Sequence, residues 1–506
     1  RLILARDPVG KKPLYFAQVD DEFLFASEIK GVRRGLRAAP SLAGTALDAY
    51  LTWGCVPGPG TIYREIQTIQ PGECVVVANR KVADRKRYWR QRFRPITPMT
   101  REQAVERTDV MVREAVRLRL RADVDVGCFL SGGIDSGLIV AMASSLYPGT
   151  LKTITVGFED DAFDERSVAA EVANRYGTSH TEVMVRPDVA GDLPAIAQAY
   201  DQPYADSSAI PSYYVAKAAR EQVKVVLNGD GGDEVFVGYR RYVAALYSDK
   251  VAGSDCPKMQ SLWAGLASQL PASGGHRTPY AFFRRFARGM GRDRWHRYVS
   301  WALDGMDRSA RRRWLARNGQ AAAVEGFDPR GYLASLGLSF EPGAPFLRQM
   351  LAADFACVLP YDLLVKIDIA CMAHGLEARS PLLDVRLVEA VAAFPERTKL
   401  SSRVTKPILR ELARRYLPDH VCSARKQGFE VPLAKWLDGD LRALSEDVLL
   451  ARSGLICDLF DRRAIESLLR APDPMAPGGL ERGRRARFIW ILLMLGLWDQ
   501  CVQRAD

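Results

Sequence analysis

Two short stretches combine glycine, hydroxyl and carboxylate in a way that suits phosphate chemistry. The first is Ser131-Gly132-Gly133-Ile134-Asp135-Ser136, which follows the apolar run Val124 to Leu130 and precedes Leu138, Ile139, Met142 and Leu146 at helical spacing. A strand feeding a helix through such a turn aims free backbone N–H groups and the positive end of the helix dipole at one spot, and glycines let an anion approach the backbone. The second is Asn228-Gly-Asp-Gly-Gly-Asp-Glu234, after the strand-like Lys224-Val-Val-Leu. Three carboxylates crowded into one turn repel unless a cation neutralises them, which makes Asp230 and Asp233 candidates for a metal pair or for groups placed around phosphates. A plain serine/glycine turn whose Asp caps a helix is the competing account of the first stretch, and an Asp/Gly-rich surface turn that of the second.

The elements that must carry these turns alternate. Arg101 to Leu120 has a helical register; Leu151 to Phe158 and His180 to Val185 read as strands, with a helix over Glu165 to Tyr176 between them. Such alternation predicts an α/β fold with a doubly wound parallel sheet, right-handed crossovers, and ligands beyond the carboxyl ends of the strands. Val156 and Gly157, at the end of the second strand, would then offer backbone groups to an adenine edge. Residues 1–92 read differently, as an antiparallel β-rich (α+β) unit with turn signals at Pro8-Val-Gly10, Gly58-Pro-Gly60 and Pro71-Gly72. The polar stretch Arg90 to Thr100 is read as a linker, and residues 93–506 as a second domain. Its part beyond residue 240 reads as helical, through Leu363, Ile367, Met372 and Leu376 and a final helix Arg487 to Trp498, with a loop over Arg470 to Arg487.

No Gly-x-x-x-x-Gly-Lys-Ser/Thr loop occurs, so the first turn is not of the kinase type. It is similar instead to the Ser-Gly-Gly-x-Asp-Ser pyrophosphate loop of ATP-pyrophosphatases, which cleave ATP between the α and β phosphates. Arg6-Asp-Pro-Val-Gly-Lys-Lys-Pro-Leu-Tyr15 and Phe25-Ala-Ser-Glu-Ile-Lys30 resemble the C-terminal part of a class II glutaminase domain. With Asp206-Ser-Ser-Ala-Ile-Pro211, Lys366-Ile-Asp368, Leu376-Glu-Ala-Arg-Ser-Pro-Leu-Leu-Asp384 and Arg425-Lys-Gln-Gly-Phe429 in order, the chain resembles glutamine-hydrolysing asparagine synthetases over its length. Asn228 and Ser380 depart from the family pattern.

That resemblance implies that Leu130, Ser131, Gly132, Gly133, Asp135, Ser136, Val156, Gly157, Asn228 and Gly229 bind ATP and that Asp135 and Asp233 hold Mg²⁺. It further implies that Asp230 supports formation of an acyl-adenylate and that Lys426 meets the pyrophosphate and α-phosphate. Glu377 and Arg379 would face the acceptor carboxylate, with a structural ion pair as the alternative for Arg379. The implied activity converts aspartate to asparagine through β-aspartyl-AMP with ammonia from glutamine, and a relative acting on a peptide, a sugar acid or a β-lactam precursor is the alternative. The family's nucleophilic cysteine lies upstream of the first motifs; residue 1 is Arg, so the chain is expected to be an N-terminally incomplete copy, against a decayed domain that takes ammonia directly.

Composition narrows the remaining classes. The chain carries 71 Lys+Arg against 60 Asp+Glu, a net charge of +11, yet its arginines are spread along the sequence, which argues against a nucleic-acid-binding face. Nine scattered cysteines without a Cys-x-x-Cys pair and five scattered histidines indicate neither a disulfide framework nor a zinc site. The longest apolar run, Phe488 to Leu497, is far short of the ~18–20 residues of a membrane helix. The expected partners are therefore small molecules (aspartate, glutamine or ammonia, ATP), with no nucleic acid and no membrane, in a cytoplasmic setting compatible with a homodimer.

Overall fold

The computed structural model describes residues 1–94, 98–157, 165–184, 188–251, 255–271, 278–303, 305–306, 311, 314–315, 324, 326–401, 404–424, 431–470 and 482–503. Its first part contains β1 (Leu2–Ala5), β2 (Tyr15–Val19), β3 (Glu22–Ala26), α1 (Ile29–Gly35), α2 (Gly44–Trp53), β4 (Ile66–Thr68), β5 (Glu73–Ala78) and β6 (Lys81–Arg87). The strands form two antiparallel sheets, ordered β1-β5-β6 and β3-β2-β4. Leu4, Phe16, Val75 and Val77 share one apolar cluster, so residues of both sheets close over a common core. The turn Asp7 to Lys12 is tied by its own carboxylate, which accepts from the N–H groups of Val9, Lys11 and Lys12.

The second part opens with α3 (Arg101–Arg119), whose Thr100 and Gln103 form a reciprocal capping box. Then follow β7 (Val126–Phe129), α4 (Ile134–Leu146), β8 (Lys152–Gly157), α5 (Arg166–Arg175), β9 (Ser179–Met184), α6 (Val189–Ala199), α7 (Ala209–Arg220), β10 (Val225–Leu227), α8 (Gly232–Phe236) and, much later, β11 (Glu377–Arg379). The five strands make one parallel sheet in the order β11-β10-β7-β8-β9. Val225 and Leu227 join one core cluster and Val226 another, so side chains alternate between two covered faces, as a doubly wound sheet requires. The chain runs from β7 to β8 and β9 on one side and returns to place β10 on the other. The crevice between β7 and β10 is therefore the point where strand order reverses.

Several predicted boundaries shift. The first strand begins at Val126 rather than Val124, which is 40% exposed. The long region read as wholly helical contains β11: Gly375 takes φ +65, which ends the helix Leu364–Met372 and releases Leu376 from its register. Glu377 N–H then donates to Lys224 O, and Asn228 N–H to Arg379 O, fixing β11 as an edge strand. The final helix starts at Arg482, five residues before the apolar register begins, because Arg485 is held by Asp438 and the carbonyl of Leu468. Much of the proposed loop, residues 471–481, lies outside the described residues, as do 95–97 of the proposed linker and the last residues, Phe158 and Val185, of two predicted strands.

The two parts pack closely. Tyr50 donates to Ile491 O, Tyr332 donates to Gly58 O at 2.9 Å, and Lys12 pairs with buried Asp368. Among the described residues no helix is long and apolar enough to cross a membrane.

One buried cation is poorly matched by its surroundings. Lys399, 4% exposed, donates to Ala392 O, and burial lowers its pKa from 10.5 to about 8, with Glu396 opposing. Between about pH 8 and 10.5 the unfolded chain binds a proton that the folded chain has lost, so stability rises with pH through that window. Lys399→Met is expected to stabilise the protein at pH 7 by up to about 3 kcal/mol. In thermal melts that gain should shrink as pH rises from 8 to 10.5; a gain independent of pH would contradict the assignment.

Candidate functional site

The two glycine-carboxylate turns meet at the mouth of the β7/β10 crevice. A Cβ on Gly229 would stand 2.9 Å from Asp135 Cβ and from the Ser136 nitrogen, and one on Gly232 would stand 2.7 Å from Asp135 Cγ. Only glycine lets the backbone of one turn lie against the carboxylate of the other. Gly231 takes φ +87, a conformation that side-chain-bearing residues rarely adopt, and starts α8.

Within the first turn the hydroxyls shape the loop. Ser131 Oγ and Ser136 Oγ are 2.8 Å apart, Ser131 N–H donates to Ser136 Oγ, and Gly133 N–H donates to Ser131 Oγ. Gly133 is the N-cap of α4, and no side chain caps it, so Asp135 is not a capping residue. Gly132 N–H donates to the carboxylate of Glu165 at 3.1 Å. The loop thus already holds one anionic group on its backbone. Leu130 and Val156 are 2% and 7% exposed with side chains in the core, which leaves their backbones as the groups that could meet a ligand. Gly157 is overlain by Arg166, whose Nε would lie 2.3 Å from a Cβ placed there.

In the second turn Asn228 Nδ2 donates to Asp230 Oδ2 at 2.7 Å, and Asp230 N–H returns a bond to Asn228 Oδ1. Asp233 and Glu234 are buried. Burial raises the Glu234 carboxyl, and the Tyr239 hydroxyl donates to it.

A residue that sequence reasoning missed joins the two turns. Lys406 Nζ pairs with Asp135 Oδ2 and lies 2.8 Å from Asp233 Oδ1, with its side chain only 5% exposed. Lys406 therefore places a positive charge between the two carboxylates. Among the described residues Asp135 Oδ1 is buried without a hydrogen-bond donor. That donor set suits a hard divalent cation. Among the described residues no three His, Cys, Asp or Glu side chains gather as a metal site, so such an ion would complete its shell with phosphate oxygens and water.

The outlying candidates are placed differently. Glu377 is in register with Val225, at the start of β10 rather than at the turn beyond it. It pairs with Arg379 at 2.7 Å, which lowers its pKa. Arg379 also donates to the carbonyls of Arg119 and Arg121, so it braces the end of α3. Ser380 Oγ is buried with no hydrogen-bond partner among the described residues. Lys426 lies outside the described residues. Lys366, from another predicted motif, donates to Ser208 Oγ and pairs with Asp206 at 3.3 Å. Burial works against its charge, but Asp206, Asp362 and Asp230 together raise its pKa. Lys11, reaching in from the first part, feels Asp230 as well; burial lowers its pKa to about 7.

A parallel sheet with a glycine loop at its switch point and a carboxylate pair beside it is the architecture of a doubly wound α/β fold with a candidate ligand site at its strand ends. Comparison with known proteins gives the family. The asparagine synthase family model matches residues 108–500 and the glutamine amidotransferase domain model residues 1–89. The chain belongs to the asparagine synthase family, whose members use ATP to form amides with glutamine as nitrogen source. It is 30% identical over 449 residues to asparagine synthetase [glutamine-hydrolyzing] 1 of Bacillus subtilis, covering 88% of this chain and 68% of that protein. It is also 25% identical over 519 residues to amidase chyE of Penicillium rubens, covering 95% and 75%. With asparagine synthetase [glutamine-hydrolyzing] 3 of Bacillus subtilis the identity is 23% over 495 residues, covering 92% and 71%.

The crowding at the joined turns is testable. A Cβ at Gly238 would fall 1.8 Å from Asp233 Oδ1 and 2.2 Å from Lys406 Cε, whereas one at Gly60 meets nothing within 4 Å. Gly238→Ala should cost about 1–3 kcal/mol of stability and Gly60→Ala less than about 0.5 kcal/mol, read by denaturant unfolding. Equal effects would mean that the Asp233–Lys406 contact is loose.

Proposed function

We propose that the protein makes an amide from a carboxylate acceptor by adenylation, with the side-chain carboxylate of aspartate as the acceptor and asparagine as the product. The reading rests on one observation: the Ser131–Ser136 turn and the Asn228–Glu234 turn touch, with Asp135 and Asp233 both pairing with Lys406. In this reading Ser131, Gly132, Gly133 and Ser136 cradle the β and γ phosphates through backbone N–H groups and hydroxyls. The backbones of Leu130, Val156, Gly157, Asn228 and Gly229 line the nucleoside end. Asp135 and Asp233 would hold Mg²⁺, which when bound supplies charge neutralisation at the phosphates.

The acceptor oxygen attacks the α-phosphorus, the bond from that phosphorus to the α–β bridging oxygen breaks, and pyrophosphate leaves. Ammonia then attacks the acyl carbon, loses a proton, and AMP leaves with the former carboxylate oxygen. Asp230, held by Asn228, is assigned to this exchange, and Lys366, whose charge Asp206, Asp362 and Asp230 favour, supplies positive charge near it. Lys426 is assigned to the departing pyrophosphate and Glu377 to the acceptor side. Residues 1–92 and 93–506 are taken as the two domains, the first belonging to the glutaminase that supplies ammonia. Free ammonia is mostly protonated at pH 7, so delivery through the protein interior favours the nucleophilic form.

The similarity to a fungal protein named as an amidase supports keeping a second acceptor class open, in which the same adenylation serves a different carboxylate. One assay separates the readings. With ATP, Mg²⁺, ammonium and aspartate the protein should release pyrophosphate and AMP, and Asp135→Asn should reduce that release by about 10²-fold or more. Release with another acid but not with aspartate would reassign the acceptor; ADP as product would overturn adenylation.

A further inference from the structure

Lys406 occupies the place where a cation is needed. It is 4% exposed, takes the left-handed conformation (φ +53) directly before Pro407, and sends its ammonium group between carboxylates that come from two different strand ends. A residue preceding proline favours extended backbone, so surrounding structure must hold this one in place. Room for its stem is made at Gly238. The nearby Arg410 does not substitute for it, because the Arg410 guanidinium is held by the carbonyls of Thr405, Cys422 and Ala424.

We propose that Lys406 is a positioning residue that serves as a built-in counter-ion, keeping Asp135 and Asp233 together in the nucleotide-free enzyme and excluding a divalent ion until nucleotide arrives. The inference rests on the reading of those two aspartates as the metal-holding pair. Charge supplies the reason. A divalent ion entering without nucleotide must displace or sit beside an ammonium, and like charges at such distances repel strongly in a buried setting. Nucleotide changes the balance, because its phosphates give the ammonium a new partner and the ion additional ligands. Metal and nucleotide binding are then positively coupled, and the coupling runs through one lysine. Metal would enter as part of the nucleotide complex.

The test is Mn²⁺ binding to the full chain, measured by electron paramagnetic resonance with and without α,β-methylene-ATP, an analogue blocked at the scissile bond. Wild type should bind Mn²⁺ about ten-fold or more tightly with the analogue than without it. Lys406→Met should bind one Mn²⁺ without nucleotide about ten-fold or more tightly than wild type does, and adding Asp135→Asn should remove that gain. A folded Lys406→Met protein with wild-type affinity for Mn²⁺ in the absence of nucleotide overturns the inference, while analogue-dependent binding in wild type leaves the metal pair standing. If wild type with analogue binds no Mn²⁺, or Asp135→Asn leaves that binding unchanged, the metal pair itself is misassigned. Lys406→Gln and thermal melts in EDTA and in Mg²⁺ guard against a folding defect. Both variants should be stabilised more by Mg²⁺ than wild type is; failure of both to fold with or without metal would make Lys406 a structural ion pair and overturn the proposal.

Discussion

The structure depends on the contact between Asp135 and the glycines of a turn almost a hundred residues further on. Asp135 stands in the first turn of α4, at the end of β7, while Gly229 and Gly232 follow β10, the neighbouring strand in the sheet. Because neither glycine carries a side chain, the two strand ends approach until one turn's backbone touches the other's carboxylate. Strand order reverses between these two strands, and the crevice there is flanked by the N-terminus of α4. Any Cβ at Gly229 or Gly232 would force the turns apart and separate Asp135 from Asp233.

The site is also neutralised from within. Lys406 brings a positive charge to the carboxylates, and Glu165 brings a negative one to the backbone N–H of Gly132. These two side chains sit where a cation and a phosphate oxygen would sit in the proposed reaction. The Lys406 ammonium offsets charge on buried Asp233 and part-buried Asp135 that would otherwise be costly, while Asp135 Oδ1 accepts no hydrogen bond among the described residues. The arrangement also means that a ligand must exchange with the protein's own charges rather than fill a bare cavity.

Much of this was legible in the sequence. The alternation of strands and helices from Arg101 to Leu227 pointed to the parallel sheet, because buried β-branched runs such as Val225-Val-Leu and helical registers such as Leu138, Ile139 and Met142 carry their periodicity locally. The two turns announced themselves by composition. Lys406 did not, because its partners Asp135 and Asp233 are distant in sequence and a lysine before a proline has no local signature. Glu165 and Arg166 escaped for the same reason: each acts by folding back over the end of a strand. β11 was hidden because three residues are too short for a strand pattern and the preceding apolar positions continue a helical register up to Gly375. The salt bridge of Lys12 with Asp368, and the bond from Arg6 to Pro360 O, join motifs that the sequence showed only as separate stretches.

These long-range contacts hold the antiparallel part against the π-helical stretch Asp354–Leu363, and Lys366, just beyond it, pairs with Asp206. The central claim is that an acceptor oxygen becomes bonded to the α-phosphorus at the joined turns. Isotope transfer measures this directly: acceptor labelled with ¹⁸O in its reacting carboxylate is incubated with ATP, Mg²⁺ and ammonium, and the products are read by mass spectrometry. One ¹⁸O per turnover in the phosphate of AMP is the predicted result; ¹⁸O in inorganic phosphate, or none transferred while amide accumulates, would contradict it.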